Sequence, residues 1–264
     1  MGAVLIAFEG LSILSLLIQK KRIPAVIWIQ TAITFVAFVI LFMAPGNEMR
    51  VASEITTWMP GYKELSVGNH LFMTIQWMLS SFANEGKAFF IAIWAAGFLL
   101  LVKSKKAKVY QSLAVVFSVV ALLPYAGISF FSEMGIGYID IEQCLTELPT
   151  WQTMTTQNRI AFFWWIAAVL FTLVLLWKVT GHSVFISMAF LGGIASEAVL
   201  HFSPTIYASG ARVYYLTDLM YLFIILWMVM RMDSEKKKNL FIAGAAALGI
   251  INFLSQYSIM LLKL

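Results

Sequence analysis

Four ionisable side chains interrupt long apolar segments and are the first candidates for chemistry: Glu9, Glu197, His201 and Asp218. A charge near the centre of a bilayer costs several kcal/mol, so such groups tend to be retained for a function. Glu197 and His201 are four residues apart, which places them on one face of a helix. The pair could act as a carboxylate-oriented general base or as two metal ligands, and a structural hydrogen bond is the simpler alternative. We take Glu197, His201 and Asp218 as candidate catalytic residues and Glu9 as an intramembrane polar residue.

Three arginines at the ends of apolar segments form a second group of candidates. One follows the tight-turn sequence Ala44–Asn47, and the other two open apolar segments, where a helix N-terminus favours an anion. An arginine beside exposed backbone N–H groups suits a phosphate. Anchoring to lipid headgroups is the alternative for each of them. The residues that we predict to bind an anionic lipid phosphate are Asn47, Arg50, Arg159 and Arg212.

The composition indicates which elements position these residues. The 264 residues are 61% hydrophobic and 12% charged, whereas soluble domains are about 45–50% apolar and about 25% charged. At about 20 residues per crossing, the chain predicts an all-α, polytopic transmembrane helical bundle of about eight spans, forming one transmembrane domain over residues 1–264. The segment near 71–85 is too polar to span alone and predicts a re-entrant or interfacial helix. The predicted spans are 3–18, 23–44, 86–102, 109–130, 160–177, 183–202, 213–230 and 239–262.

The basic residues predict the orientation of the bundle, because Lys and Arg near short loops stay in the cytoplasm. With alternating spans most of them fall on one side, which explains the net charge of +5 without nucleic acid as a partner. The expected location is a bacterial inner or plasma membrane, with both termini outside and membrane lipids as partners. The residues predicted to be cytoplasmic are Lys20, Lys21, Arg22, Lys103, Lys105, Lys106, Lys108, Lys178, Arg231, Lys236, Lys237 and Lys238.

The order of these signals resembles an uncharacterised family of bacterial polytopic membrane proteins with a Pro-Gly-Asn-x-x-Arg loop, related to the GT-C class of glycosyltransferases. The similarity is to the C-terminal half of those proteins, so the chain is predicted to be the later part of a longer protein or to need a second chain that supplies an N-terminal part. The matching residues are Pro45, Gly46, Asn47, Arg50, Glu54, Trp58, Pro60, Ser203, Pro204 and Arg212.

The resemblance implies transfer of a sugar from a polyprenyl-phosphate-linked donor at the outer face of the membrane. GT-C enzymes carry a catalytic Asp or Glu in a first outside loop, and no such loop precedes the first predicted span. Two alternatives therefore stay open. The chain could be a transporter or flippase of lipid-linked or polar solutes, or it could be a non-catalytic fragment or partner subunit. No nucleotide-binding motif is present, and no residue pattern supports a divalent metal as cofactor.

Overall fold

The computed structural model describes residues 2–44, 46–104, 107–123, 150–181, 183–199, 203–206 and 214–262. Over these residues the chain forms ten α-helices, one short 3-10 helix at Tyr62–Glu64 and no strand, which confirms the predicted all-α class. The helices are α1 Gly2–Ile18, α2 Ala25–Phe42, α3 Asn47–Trp58, α4 Val67–Asn84, α5 Lys87–Leu101, α6 Lys108–Leu122, α7 Thr156–Val179, α8 Val184–Ala198, α9 Tyr215–Met230 and α10 Glu235–Leu262.

The helices differ in their capacity to cross a bilayer. One segment, Asn158–Val179 in α7, is long and apolar enough to span by itself. Helices α4 and α5 pass the same test only as a pair, because they are bent by 70° where they meet. Other apolar helices in the described part of the chain, among them α6, α8 and α9, are shorter than this. Length and composition thus identify one spanning helix, or two if the bent pair is one span.

The bend between α4 and α5 lies at Glu85 and Gly86, where the segment predicted not to cross, 71–85, meets the predicted span 86–102. The backbone N–H groups of both residues donate to the Ser81 carbonyl, at 2.9 and 2.8 Å, and so close the last turn of α4. A Cβ on Gly86 would lie 3.2 Å from the Phe82 Cα, which is tighter than usual van der Waals contact. Glycine at this position therefore lets the two helices meet closely, and the bend brings Glu85 to the helix junction.

Helix α5 lies at the centre of the bundle and contacts α4, α6, α7, α9 and α10. Its contact with α7 combines a close approach with a buried hydrogen bond. Gly97 lies against Leu175, and a Cβ there would come within 2.7 Å of the leucine side chain. One turn earlier, the Trp94 Nε1–H donates to the Thr172 hydroxyl at 2.8 Å, and both side chains are completely buried. These contacts fix the position of α5, and with it the position of Glu85, which lies two residues before the helix begins.

The bundle has one end rich in lysine and another rich in carboxyl groups. At the first, Asp233 forms ion pairs with Lys103 at 2.6 Å and with Lys237 at 2.9 Å. These two hydrogen-bonded ammonium groups hold the pKa of the Asp233 carboxyl well below its usual range. Because this cluster joins the C-terminal ends of α5 and α9, the two helices run parallel, and their N-terminal ends meet at the opposite end, near Glu85 and Asp218.

Candidate functional site

Three carboxyl side chains from three helix ends line one small cavity, which we call the carboxyl cavity. Glu85 comes from the α4–α5 bend, Glu197 from the last turn of α8 and Asp218 from the first turn of α9. The remaining walls are formed by Ser81, Phe82, Gly86, Tyr214, Thr217 and Tyr221. The alternation of the predicted spans explains why the end of α8 and the start of α9 meet, because consecutive helices share an end.

Glu197 forms the buried floor of the carboxyl cavity, with 1% of its surface exposed. The Ser81 hydroxyl donates to the Glu197 Oε2 at 2.9 Å and lies 2.8 Å from the Met78 carbonyl. A hydroxyl carries one hydrogen, so these two acceptors compete for it. Glu85 is exposed and Asp218 is half-buried. The exposure of the three carboxyl groups thus decreases from Glu85 through Asp218 to the buried Glu197.

Tyr221 contributes a hydroxyl group that has no hydrogen-bond partner among the described residues, although the side chain is 1% exposed. Its ring stacks on Phe190 with 5.4 Å between the centroids. A Cβ on Gly193 would lie 3.1 Å from the tyrosine Cε1, so the absence of a side chain at Gly193 leaves room for the Tyr221 ring. A buried unpartnered hydroxyl costs about 1–3 kcal/mol. Such a group in the cavity wall marks a place where a bound species can donate or accept a hydrogen bond.

The polar side-chain groups that line the carboxyl cavity are carboxyl and hydroxyl groups. Among the described residues that line it there is no Lys, Arg or His, and it offers about 10 Å³ of room, which is enough for about one water molecule. Among the described residues, no three His, Cys, Asp or Glu side chains are grouped closely enough to hold a metal ion. The arrangement is suited to binding and releasing a proton, with the exposed Glu85 and half-buried Asp218 available to a molecule at the opening.

Two further residues were predicted from the sequence to be catalytic or polar within the membrane, His201 and Glu9. His201 is outside the described residues, so its predicted partnership with Glu197 has no structural counterpart here. Glu9 lies in α1, where its Oε1 accepts a hydrogen bond from the Thr34 hydroxyl of α2 at 2.8 Å. The Glu9 Oε2 is buried and has no partner among the described residues. Glu9 therefore joins α1 to α2 and does not line the carboxyl cavity.

Two of the predicted phosphate-binding residues, Arg50 and Arg159, have partners near them in the sequence. Arg50, in the first turn of α3, pairs with Glu54 at 2.8 Å and is largely exposed. Arg159 donates to the Trp151 carbonyl at 3.0 Å and lies over the Trp151 ring, 5.1 Å from its centroid. Asn47 is the first residue of α3, and Arg212 lies outside the described residues. Among the described residues, the guanidinium contacts of Arg159 are with Trp151 and not with Asp218.

The turn that precedes Arg50 has the backbone conformation that its sequence predicts. Gly46 lies directly before α3 with φ at 88°, in the left-handed region that glycine adopts without strain. Helix α3 then exposes Glu48, Met49 and Arg50 and buries Ile55. This one-sided burial is typical of a helix that lies along a surface. Arg50 is thereby presented outward at the start of such a helix.

Glu85 and Tyr221 are among the residues of the carboxyl cavity that were not singled out from the sequence. The signal for Glu85 was the Asn-Glu-Gly sequence at 84–86, because a polar interruption between two apolar helices is where a bend is expected. Tyr221 had no such signal, since an aromatic residue within an apolar helix usually packs in the core. Its position three residues after Asp218 places both on one side of α9.

No protein-family model, curated protein or solved structure matches the chain. The resemblance carried by the Pro-Gly-Asn-x-x-Arg sequence thus stays a prediction. What the chain itself provides is an all-helical bundle with a carboxyl cavity at one end and an outward-facing arginine at the start of α3.

Proposed function

We propose that the chain is a multi-pass membrane protein of about eight spans that acts like a glycosyltransferase on a polyprenyl-phosphate-linked sugar. The membrane location is supported by apolar side chains that remain exposed along α2, where Val26, Ile33 and Ile40 are 64–66% exposed. A continuous apolar helix surface is unfavourable in water and is expected against lipid. The hydrophobic composition of 61% supports the same location.

In this proposal the lysine end of the bundle faces the cytoplasm and the carboxyl cavity faces the outer side of a bacterial membrane. Lys103 and Lys237, which were both predicted to be cytoplasmic, meet at Asp233. Their common location supports the alternating arrangement of the helices that connect them. The carboxyl cavity at the opposite ends of α5 and α9 is then available to substrates outside the cell.

The single observation that carries the functional proposal is the grouping of Glu85, Glu197 and Asp218 beside the Tyr221 hydroxyl, which has no hydrogen-bond partner among the described residues. Asp218, which is half-buried, would accept the proton of an acceptor hydroxyl when the sugar is transferred. Glu197 is too buried to meet a sugar and would act as a positioning residue through Ser81. General bases of this kind contribute roughly 10²–10⁴-fold to a rate.

Arg50 would bind the phosphate of the lipid carrier in the same proposal. Its side chain is exposed at the start of the surface helix α3, and Glu54 orients it through an ion pair. An arginine can bind a phosphate through charge-assisted hydrogen bonds, which are stronger than neutral ones. Arg212, predicted for the same role, and Arg159 would extend this contact.

The experiment compares surface-glycan composition in cells that depend on this chain, using Arg50→Ala with Arg231→Ala as the matched control. Arg231 is an exposed arginine at the lysine end, where it lies 4.8 Å from the Trp227 ring centroid. The proposal expects glycan loss for Arg50→Ala and wild-type glycan for Arg231→Ala. Unchanged glycan in Arg50→Ala cells with normal protein levels would contradict it.

A second candidate function, proton-coupled transport of a polar or lipid-linked solute, is favoured by the 70° bend between α4 and α5. Discontinuous helices form the substrate and coupling-ion sites of many transporters. Transport predicts solute flux driven by a pH gradient in proteoliposomes, lost in Glu197→Gln, with no bond made or broken in the solute. Glycosyl transfer by the purified chain would refute this alternative.

A further inference from the structure

An apolar groove runs between α5, α6 and α10, and it is separate from the carboxyl cavity. Its volume is about 520 Å³, within the range of roughly 300–1,000 Å³ that is typical of ligand sites. The walls include Phe98, Val119, Phe241 and Gly244, and Ser118 provides the only hydroxyl group among the lining residues. The Trp94 N–H, the other polar group of the walls, is already donated to Thr172. The groove therefore recognises hydrocarbon rather than a polar solute.

The groove begins at the lysine end of the bundle and has the length of one leaflet. On α10 its lining residues extend from Leu240 to Ile251, which is about 17 Å at 1.5 Å per residue. The hydrocarbon core of a bilayer is about 30 Å thick, so one leaflet accounts for about 15 Å. A single acyl chain that enters from the leaflet at the lysine end would thus fill the groove along its length.

Two exposed lysines lie on the helices that line the groove, toward the lysine end of the bundle. Lys236 is one helical turn before Leu240 on α10, and Lys108 is two turns before Val115 on α6. Residues at these spacings share a helix face with the groove lining. In contrast to Lys103 and Lys237, which pair with Asp233, these two lysines have side chains available to an anion in the described part of the chain.

We propose that the groove between α5, α6 and α10 binds one acyl chain of an anionic membrane phospholipid, whose phosphate lies between Lys108 and Lys236. The apolar walls take the hydrocarbon chain, and the charge at the lysine end selects an anionic headgroup over a zwitterionic one. The proposal requires the membrane location of the chain, but it is independent of any role for the carboxyl cavity.

The glycines of α10 provide a matched pair of variants for the test. A Cβ added at Gly244 or at Gly249 meets no atom within 4 Å, so neither substitution disturbs the packing described here. Gly244 lines the groove, whereas Gly249 does not. Gly244→Leu therefore fills the groove, and Gly249→Leu repeats the same change of residue outside it. Lys178→Gln, at the end of α7, is the control for Lys108→Gln and Lys236→Gln.

The experiment reconstitutes the full chain with phosphatidylglycerol and phosphatidylcholine in equal amounts and counts the lipids that it retains in native mass spectrometry. We expect one retained phosphatidylglycerol, displaced by Gly244→Leu and kept by Gly249→Leu. Each of Lys108→Gln and Lys236→Gln should weaken its retention about fivefold, and Lys178→Gln should not. Equal retention of both lipids would overturn the proposal. A dimer that Gly244→Leu dissociates would also overturn it, since a second copy would then occupy the groove.

Discussion

The hydrogen bond between Ser81 and Glu197 gives a quantitative prediction for the carboxyl cavity. It joins α4 to α8 at 2.9 Å, and both side chains are at most 4% exposed. In membrane bundles such bonds contribute about 0.6 kcal/mol on average and at most about 1.7 kcal/mol. A double-mutant cycle of Ser81→Ala and Glu197→Leu should therefore give a coupling free energy in this range. The free energy of unfolding of Glu197→Gln should remain close to that of wild type, because a carboxamide can still hydrogen-bond the Ser81 hydroxyl.

The assay is reversible unfolding of the purified chain in mixed micelles, with the free energy of unfolding measured by circular dichroism during titration with a denaturing detergent. The matched control is Ser187→Ala, a buried serine of α8 whose hydroxyl donates to the Ser183 carbonyl of its own chain segment. Its coupling to Glu197→Leu should stay within about 0.3–0.5 kcal/mol of zero. A coupling equally close to zero for Ser81→Ala would refute the bond and the positioning role of Glu197.

Three further predictions concern the helices that hold the site. Gly97→Ala should lower the free energy of unfolding by about 1–3 kcal/mol, because its Cβ would meet the Leu175 side chain at 2.7 Å; partial rescue by Leu175→Ala in detergent unfolding checks the cause. Thr172→Val should cost about 1–3 kcal/mol by leaving the buried Trp94 N–H without an acceptor, and Thr172→Ser should cost less in the same assay. The difference in melting temperature between wild type and Asp233→Asn should shrink below about pH 4, since a carboxyl with a lowered pKa stabilises the fold only while it is ionised; a difference that grows on acidification would contradict this.

Composition and the spacing of apolar segments were sufficient to predict the helical class, since 61% hydrophobic residues in long runs leave few other structures in a membrane. The sequence also sufficed to expect Glu197 and Asp218 at the same end of the bundle, because consecutive antiparallel helices share an end. Glu85 joins them through the bend at Gly86, whose angle of 70° depends on tertiary packing and is not encoded by local sequence alone. Tyr221 was missed because its unpartnered hydroxyl becomes visible only when the neighbouring helices are in place.

The arginines at the ends of apolar segments show how local contacts determine where a charged side chain lies. Arg50 and Glu54 are four residues apart within one helix, a spacing at which opposite charges pair locally. Arg159 contacts Trp151, which lies just before α7 and which sequence spacing gave no reason to select. Both arginines thus have partners near them in the sequence, although the buried Arg159 Nε has no hydrogen-bond partner among the described residues, so an arginine at a helix end does not by itself define a cleft.

Two aspartate variants test directly whether the carboxyl cavity is the catalytic site of the chain. Cells that depend on this chain would carry Asp218→Asn or, as the matched control, Asp233→Asn at the lysine end. The rate at which labelled sugar enters their surface glycan would then be compared at equal protein levels. We predict a rate lowered roughly 10²–10⁴-fold by Asp218→Asn and unchanged by Asp233→Asn. Wild-type incorporation in Asp218→Asn cells would contradict a catalytic role of the cavity.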